Sequence, residues 1–477
     1  THSNQCVEAV EVTGAEIDRT PPGPGRVRIQ AAHFMWRAFI REESDAFARF
    51  QQLADLSDSL DGNDPGSRAV RVLRAWDLTM RGESSAEAMA FAERALDGGR
   101  LDPGINWTNT TWGFEIPALI GLSYVYNDRL DLALDLFNEA ADEYEVSGWS
   151  GGHLAFANFL QGLVLFRWGR LEEAENFLRL TLRKSDRLGL GTPLQWDTVG
   201  VLCDTLLARG RIHEAVELAE KYSFGPPYPP VMVFPDAPTL YGRLLLAQGR
   251  TEEAVRQFEE VGSQLAARGW YNTVWAPWAG NLAVALAGED PTRARELAAE
   301  ALGRARRLGT NSAIGIALRW RAAVAEPPEA VELLGQAVEY LGQSPAAYEY
   351  ALALVDQGAA LRRVGRPREA LEALGQGVEL AAQCGADSLL ARGRVELVAA
   401  GASPHRLRAV VARVLNQQEQ KAAEYAARGL SAEGIAEEMG LGESAVGRLL
   451  ASVYRKVGAG PEGLSEALGL DPLDPEE

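Results

Sequence analysis

The chain is poor in the residues from which disulfides, metal sites and nucleophilic centres are built. Its three cysteines, Cys6, Cys203 and Cys384, stand alone, with no CxxC and no cysteine–histidine pairing. That excludes a disulfide framework and a zinc ribbon and favours a reducing compartment, so a cytoplasmic location is expected. Five histidines (His2, His33, His153, His213 and His405) are scattered, and only His153, in Ser150-Gly151-Gly152-His153, lies near an aromatic position. No nucleophile with its base is legible; no metal and no cofactor are expected, and whether the chain is an enzyme stays open, with the weight of the residues against it. No run of 18 apolar residues occurs, so no membrane span is expected, and the first twenty residues lack the basic start and apolar core of a secretory leader. A G-x-x-x-x-G-K-[ST] phosphate loop is missing too. Positive charge is in short supply: 47 Lys and Arg face 66 Asp and Glu, a net charge of −19. Over most of its surface such a chain repels polyanions.

What the chain has is helical periodicity. Residues 1–26 read as a flexible N-terminal arm that ends in the breaker run Pro21-Pro22-Gly23-Pro24-Gly25. From Val27 on, amphipathic patterns follow one another between short turns, and one theme recurs: a Gly-Arg turn, carboxylates in the next helical turn, then alanine. It stands at Gly169-Arg170-Leu171-Glu172-Glu173-Ala174, at Gly210-Arg211-Ile212-His213-Glu214-Ala215, at Gly249-Arg250-Thr251-Glu252-Glu253-Ala254 and at Gly365-Arg366-Pro367-Arg368-Glu369-Ala370. Looser copies lead to Ala133, Ala294 and Ala330. A spacing of about 36 to 42 residues makes each unit one helical hairpin. Carboxylates suit the positive end of a helix dipole, and alanine lets a neighbouring helix come close. Because such hairpins bury their apolar faces only by stacking, residues 27–400 are expected to form an all-α, right-handed superhelix with a concave inner face.

These units resemble tetratricopeptide repeats with a lengthened period. The order GRLEEAENFLRLTLR, LLARGRIHEAVELAE, LYGRLLLAQGRTEEAVRQFEEVG, NTVWAPWAGNLAVALAG resembles the repeat region of the MalT-like (LAL) regulators. Members of that family carry an ATP-hydrolysing domain ahead of the repeats and a helix-turn-helix after them.

After a linker at 401–416, residues 417–470 have the apolar spacing of helix, turn, helix, turn, helix, and an acidic tail follows at 471–477. The run GLSAEGIAEEMGLGESAVGRLLASVYRKVG resembles the LuxR-type helix-turn-helix, whose pattern is GLSNKEIA, a short turn, then SxxTVKxHLxxIYxKLG. The core positions Leu430, Ile435, Ala436, Leu441, Val446, Leu450, Val453, Tyr454, Val457 and Gly458 are kept. Capping and DNA-facing positions are replaced: Gly442 for Ser, Ala445 for Thr, Gly447 for Lys, Leu449 for His. The resemblance implies that Ser444, Gly447, Arg448, Ala451, Arg455 and Lys456 face DNA, with dimerisation through the segment 461–468 supplying two half-sites. Charge argues the other way, since Gln417 to Gly460 holds five cations and six anions, and affinity for DNA rests on neutralising phosphates.

Aromatic residues form the second candidate site. Trp107, Trp112, Trp149, His153, Trp196, Tyr271, Asn272, Trp275 and Trp278 recur near helix starts, interleaved with Asn and Thr. If those starts line the concave face, they make an apolar pocket with a few polar groups, the usual makeup of a small-molecule or peptide site. The loop FGPPYPPVMVFP (224–235) reads either as a lid or as a rigid connector. Two functions stay open. One is a LuxR/LAL-type transcriptional regulator with a ligand-sensing repeat domain. The other is a regulator-derived protein that has lost DNA binding and uses an aromatic-lined cavity to bind or convert a small molecule.

Overall fold

The structure, a computed structural model, describes residues 2–43, 45–109, 112, 114–403 and 414–468. Its elements are α1 (His2–Arg19), α2 (Pro24–Phe39), α3 (Ala46–Asp58), α4 (Pro65–Arg81), α5 (Ser85–Ala95), α6 (Glu115–Val125), α7 (Leu130–Val146) and α8 (Gly152–Trp168). The chain continues through α9 (Leu171–Ser185), α10 (Pro193–Ala208), α11 (Ile212–Lys221), α12 (Ala237–Ala247), α13 (Thr251–Ala267), α14 (Trp278–Leu286), α15 (Pro291–Leu308) and α16 (Asn311–Ala323). Next come α17 (Pro327–Gly342), α18 (Ala347–Arg363), α19 (Pro367–Cys384) and α20 (Asp387–Ala399). The C-terminal unit holds α21 (Gln417–Ala427), α22 (Ala432–Met439), α23 (Glu443–Val457), a 3₁₀ turn at Pro461–Gly463 and α24 (Leu464–Leu468). Among the described residues there is no strand, only isolated bridges between Ile40 and Val231 and between Asp97 and Arg100.

From α4 to α19 the helices pack as antiparallel hairpins, each on the next, in an all-α tetratricopeptide-like superhelix. The repeat alanines do what their size allows: Ala133, Ala174, Ala215, Ala254, Ala294 and Ala370 are 0% exposed, and Ala330 is 8% exposed. In five hairpins a glycine on the first helix, Gly121, Gly162, Gly242, Gly315 or Gly358, faces a bulky side chain of the second. A Cβ at Gly121 would come within 2.2 Å of Phe137, at Gly242 within 2.5 Å of Phe258 and at Gly358 within 2.4 Å of Leu374. In these hairpins small residues thus stand where two backbones approach.

The superhelix closes on itself. Tyr271 and Asn272 donate from their backbone N–H groups to Met80 O at 3.0 and 3.2 Å, and Asn272 Nδ2 donates to Thr79 O, 193 residues earlier, at 2.8 Å. Ser312 N donates to Asp128 Oδ2, 184 residues earlier, at 2.8 Å. A similar offset brings Gly169 against Tyr348 and Gly210 against Ser388. Turns of one superhelical coil therefore abut helix starts of the next, and the interior fills with one contiguous core that includes Trp76, Tyr126, Phe159 and Trp275.

Two expectations are corrected, for the N-terminal stretch and the segment 461–468, and one open alternative, the loop 224–235, is resolved. The N-terminal stretch is not an irregular arm: α1 lies on α2, buries Cys6 at 5% exposure and joins it through Thr13 Oγ1 and His33 Nδ1 at 3.0 Å. The Pro-Gly run breaks only the joint, with Pro24 opening α2 where proline's missing N–H costs nothing. The loop 224–235 is a connector: Arg41 N donates to Pro230 O at 2.9 Å and Met232 N to Phe39 O at 2.8 Å, with Val231, Met232 and Val233 buried. The segment read as a dimerisation helix is spent at home, since Leu464 is 0% exposed against Val453, Val457 and Ala423, and Ser465 Oγ donates to Ala427 O at 2.8 Å. Of the expected linker, residues 404–413 lie outside the described residues, as does the tail 471–477.

Candidate functional site

The aromatic candidates do not converge on one pocket. Trp107, Trp112, Asn272 and Trp275 are at most 3% exposed and belong to the packed interior. Trp107 sits edge-on to Phe137 and Tyr144, with ring centroids at 6.3 and 6.2 Å. Trp149 stacks on Tyr144 at 5.9 Å, and His153 lies 4.7 Å from Trp149 and 5.5 Å from Tyr144. Trp196 belongs to another group with Phe224 and Tyr228. Trp112 lies under the Arg28 guanidinium, and Tyr271 and Trp278 both flank that of Arg304. Trp275 packs on Trp270 and Phe234. Asn272 is a structural tie: its Oδ1 accepts from Val274 N and Trp275 N at 2.8 and 2.9 Å while its Nδ2 holds Thr79 O. Reading these residues as one concave pocket failed because the tight winding turns the concave face into core.

One patch of that set keeps chemical tension. Around Tyr144 gather Trp107, Trp149, His153 and Phe114, and the Tyr144 hydroxyl and Trp107 Nε1 are buried with no hydrogen-bond partner among the described residues. Glu115, at the first position of α6, is pushed up to about 7 by burial. Burial also lowers the His153 imidazole from its ordinary value.

A second candidate site lies elsewhere, between the repeats and the C-terminal unit. A cavity of about 1310 Å³ is bounded by Arg170 and Glu173 at the start of α9, Arg209 and Arg211 before α11, Asp387 and Ser388 opening α20, and Arg448, Ala451, Ser452, Arg455 and Lys456 on α23. The C-terminal helices explain this placement. Asn416 and Glu419 form a reciprocal capping box that starts α21, and Ser431 caps α22 through Gly434 N at 3.2 Å. Val446, Val453 and Val457 of α23 turn inward. The opposite stripe of Ser444, Gly447, Arg448, Ala451 and Arg455 is exposed. Five of the six residues expected to face DNA lie on this stripe, Lys456 lies off it, and Arg448, Ala451 and Arg455 of the stripe front the repeats.

Two links hold α23 there. Arg455 Nε lies 3.2 Å from Asp387 Oδ2, and Arg394 Nη1 of α20 donates to Lys456 O at 2.7 Å. The second link needs Gly458: its φ of 66° is left-handed, and a Cβ there would come within 2.6 Å of Arg394 Nη1. Lys456 itself turns to Glu419, at 2.8 Å from both carboxylate oxygens. Burial raises Glu419, but Lys456, Ser452 Oγ and the Asn416 N–H more than offset it and hold the carboxyl below the ordinary range.

On the repeat side Glu175 accepts from Arg179 at 2.7 Å, Arg209 at 2.8 Å and Arg211 at 2.7 Å. Burial works to raise it, yet these guanidiniums keep it below the usual carboxylate range. Arg170, Arg209, Arg211, Asp387 and Arg394 escaped sequence reasoning as site residues. The Gly-Arg turns are legible as turns, whereas which turns meet in space depends on the pitch of the superhelix.

These features define a helical-repeat protein with a small C-terminal helical unit docked on it. No family model matches the chain, and no curated protein matches it. Among solved structures, it is similar to a Rap protein complexed with competence and sporulation factor, at 13% identity and a TM-score of 0.38, covering 84% of this chain and 99% of that one. It is similar to the human IFIT1 dimer with m7Gppp-AAAA at 14% identity and a TM-score of 0.35, covering 90% and 95%. A signal transduction ATPase with a tetratricopeptide repeat sensor from Pyrococcus horikoshii is similar at 10% identity and a TM-score of 0.35, covering 97% and 70%. Likeness at this level leaves what those proteins bind without bearing on this chain. Among the described residues, no helix is long and apolar enough to cross a membrane.

Proposed function

We propose that the chain is a LuxR/LAL-type regulator in which the helical repeats hold the C-terminal helix-turn-helix in a closed arrangement, to be released by a ligand or partner for contact with DNA. The observation that carries this reading is the direction of α23: the exposed stripe Arg448, Ala451 and Arg455 lines the cleft against the repeats. Its arginines are partly occupied there, Arg455 with Asp387. A face spent on a partner that exposed ion pairs hold by about 0–1 kcal/mol each is easily freed. This arrangement also reconciles the short supply of cations in the unit with a DNA role: few phosphates are contacted, and binding is weak and salt-sensitive.

The test compares wild type with Asp387→Asn in mobility shifts on sheared genomic DNA at about 50 mM salt. Asp387→Asn frees Arg455 without touching α23, so the variant is expected to bind more tightly than wild type, and its binding to fall steeply with added salt. Adding Arg448→Ala to it reduces that salt slope by about one. If neither protein shifts DNA at low salt, the helix-turn-helix is not a DNA reader. The other reading then stands: a regulator-derived protein whose C-terminal unit closes a ligand cleft.

A further inference from the structure

We infer that the cleft between the repeats and α23 is a binding site for a small phosphate-bearing anion. The inference rests on how charge and donors are distributed there, and it holds whether or not α23 ever touches DNA. In a chain of net charge −19, the cavity wall presents Arg170, Arg209, Arg211, Arg448, Arg455 and Lys456. Carboxylates share the wall or back it: Glu173 pairs with Arg170, Asp387 with Arg455 and Glu419 with Lys456, and Glu172 lines the cavity as well. Among the described residues, Arg209 and Arg211 of the wall, with Arg179 beside them, share Glu175 and Glu214, three guanidiniums to two carboxylates. Across the cleft, Arg448 has Ser444 Oγ at 2.9 Å as its contact, and among the described residues no carboxylate pairs with it.

Arg209 lines this cavity too, its Nη1 donating to Glu175 at 2.8 Å. In addition, three helices begin at this cavity without a side-chain cap: α9 after Arg170, α11 after Arg211 and α20 after Ala386. Uncapped starts present free N–H groups and the positive end of the helix dipole. Donors therefore approach from the α9 and α11 turns, from α20 and from α23. A tetrahedral phosphate offers oxygens in several directions, where a carboxylate offers two in one plane, and guanidinium forks match phosphate geometry. The cavity, about 1310 Å³, has room for the rest of a small molecule beyond its phosphate.

The probe is inorganic pyrophosphate, titrated calorimetrically into the full chain at about 50 mM salt. Saturable binding near one equivalent is expected, weakened about tenfold by Arg448→Ala, the loss of one charge-assisted contact. Arg448 is exposed on its helix, so this variant keeps its fold. Arg209→Gln should weaken binding by a similar factor and is read beside its melting curve. Absence of saturable pyrophosphate binding by wild type overturns the site, and so does binding by Arg448→Ala equal to wild type. A short DNA duplex that binds where pyrophosphate does not would also overturn it, giving these cations to a nucleic-acid backbone. Because the calorimetry contains no DNA in its main arm, failure of the regulator reading leaves this result intact, and failure here leaves the mobility shift to be judged alone.

Discussion

Glu115 shows what a single residue loses when a chain winds this tightly. It sits at the start of α6, where a carboxylate suits the helix dipole, yet burial pushes it up to about 7. Tyr144 and Cys6 lie within reach of its charge, and both are shifted upward by it as well as by burial. The folded value lies above the ordinary 4.5, so the native state holds the proton more tightly than the unfolded chain does. Its contribution to stability is complete below about pH 4.5 and is lost as pH rises through about 7. We expect Glu115→Gln to keep the neutral form at all pH and to gain about 2 kcal/mol over wild type above pH 7, after allowance for its partial exposure. Urea unfolding of both proteins at several pH values checks this, and parallel stability profiles would refute it. His153, lowered by burial, acts in the opposite sense as pH falls, which is why the comparison is between variants and not along one profile. Nothing in the sequence marks Glu115: Phe114-Glu115-Ile116 reads as an ordinary helix start, and only the approach of α1 and α7 makes it costly.

At the scale of elements, the hairpins were legible and their meeting points were not. Turn, carboxylate and alanine recur at fixed offsets because each hairpin obeys the same local physics of dipole and close approach, so one sequence suffices to find them. Contacts between successive coils obey no local rule. Gly169 and Gly249 illustrate the difference, since both close a helix ahead of a Gly-Arg turn with a left-handed φ, of 88° and 74°. A Cβ at Gly249 meets nothing within 4 Å, while one at Gly169 would lie 2.6 Å from Tyr348 N and 3.2 Å from Cys384 Sγ. Gly249→Ala should therefore cost only the backbone strain, about 1–2 kcal/mol. Gly169→Ala should cost that strain and at least about 1 kcal/mol more, for pushing two coils apart. Chemical denaturation of the two variants gives the difference directly, and equal losses would mean that the coils do not bear on each other at this turn. The aromatic set failed for the same reason: Trp107, Asn272 and Trp275 carry the signature of a pocket, and coil-to-coil closure converts the signature into packing.

The whole molecule poses a question that no hairpin answers, namely what keeps the three C-terminal helices and their short fourth helix facing the repeats. The C-terminal unit has its own small cores, one around Val453, Val457 and Leu464 and one around Ile435 and Val446, which is why its helices could be read from sequence. Its docking could not be read, because it depends on Asp387 and Arg394, far away in the chain and unremarkable on a helix that reads as one more repeat. The contact is polar and shallow, and an exposed ion pair such as Arg455–Asp387 contributes at most about 1 kcal/mol. Like charges in the same place repel. Asp387→Arg would set a guanidinium against Arg455 and against the cations already lining the cleft, so the C-terminal unit should swing away and the radius of gyration measured by small-angle scattering should rise. Restoring the opposite sign with Arg455→Asp in the same chain should bring the radius back, a recovery that a merely misfolded Asp387→Arg protein would not show. Salt must then act in a definite direction: in wild type, raising ionic strength toward 1 M screens the pair and should expand the molecule partway toward the single variant. A radius that ignores both the substitution and the salt would show that Arg394 and the helix contacts hold α23 on their own.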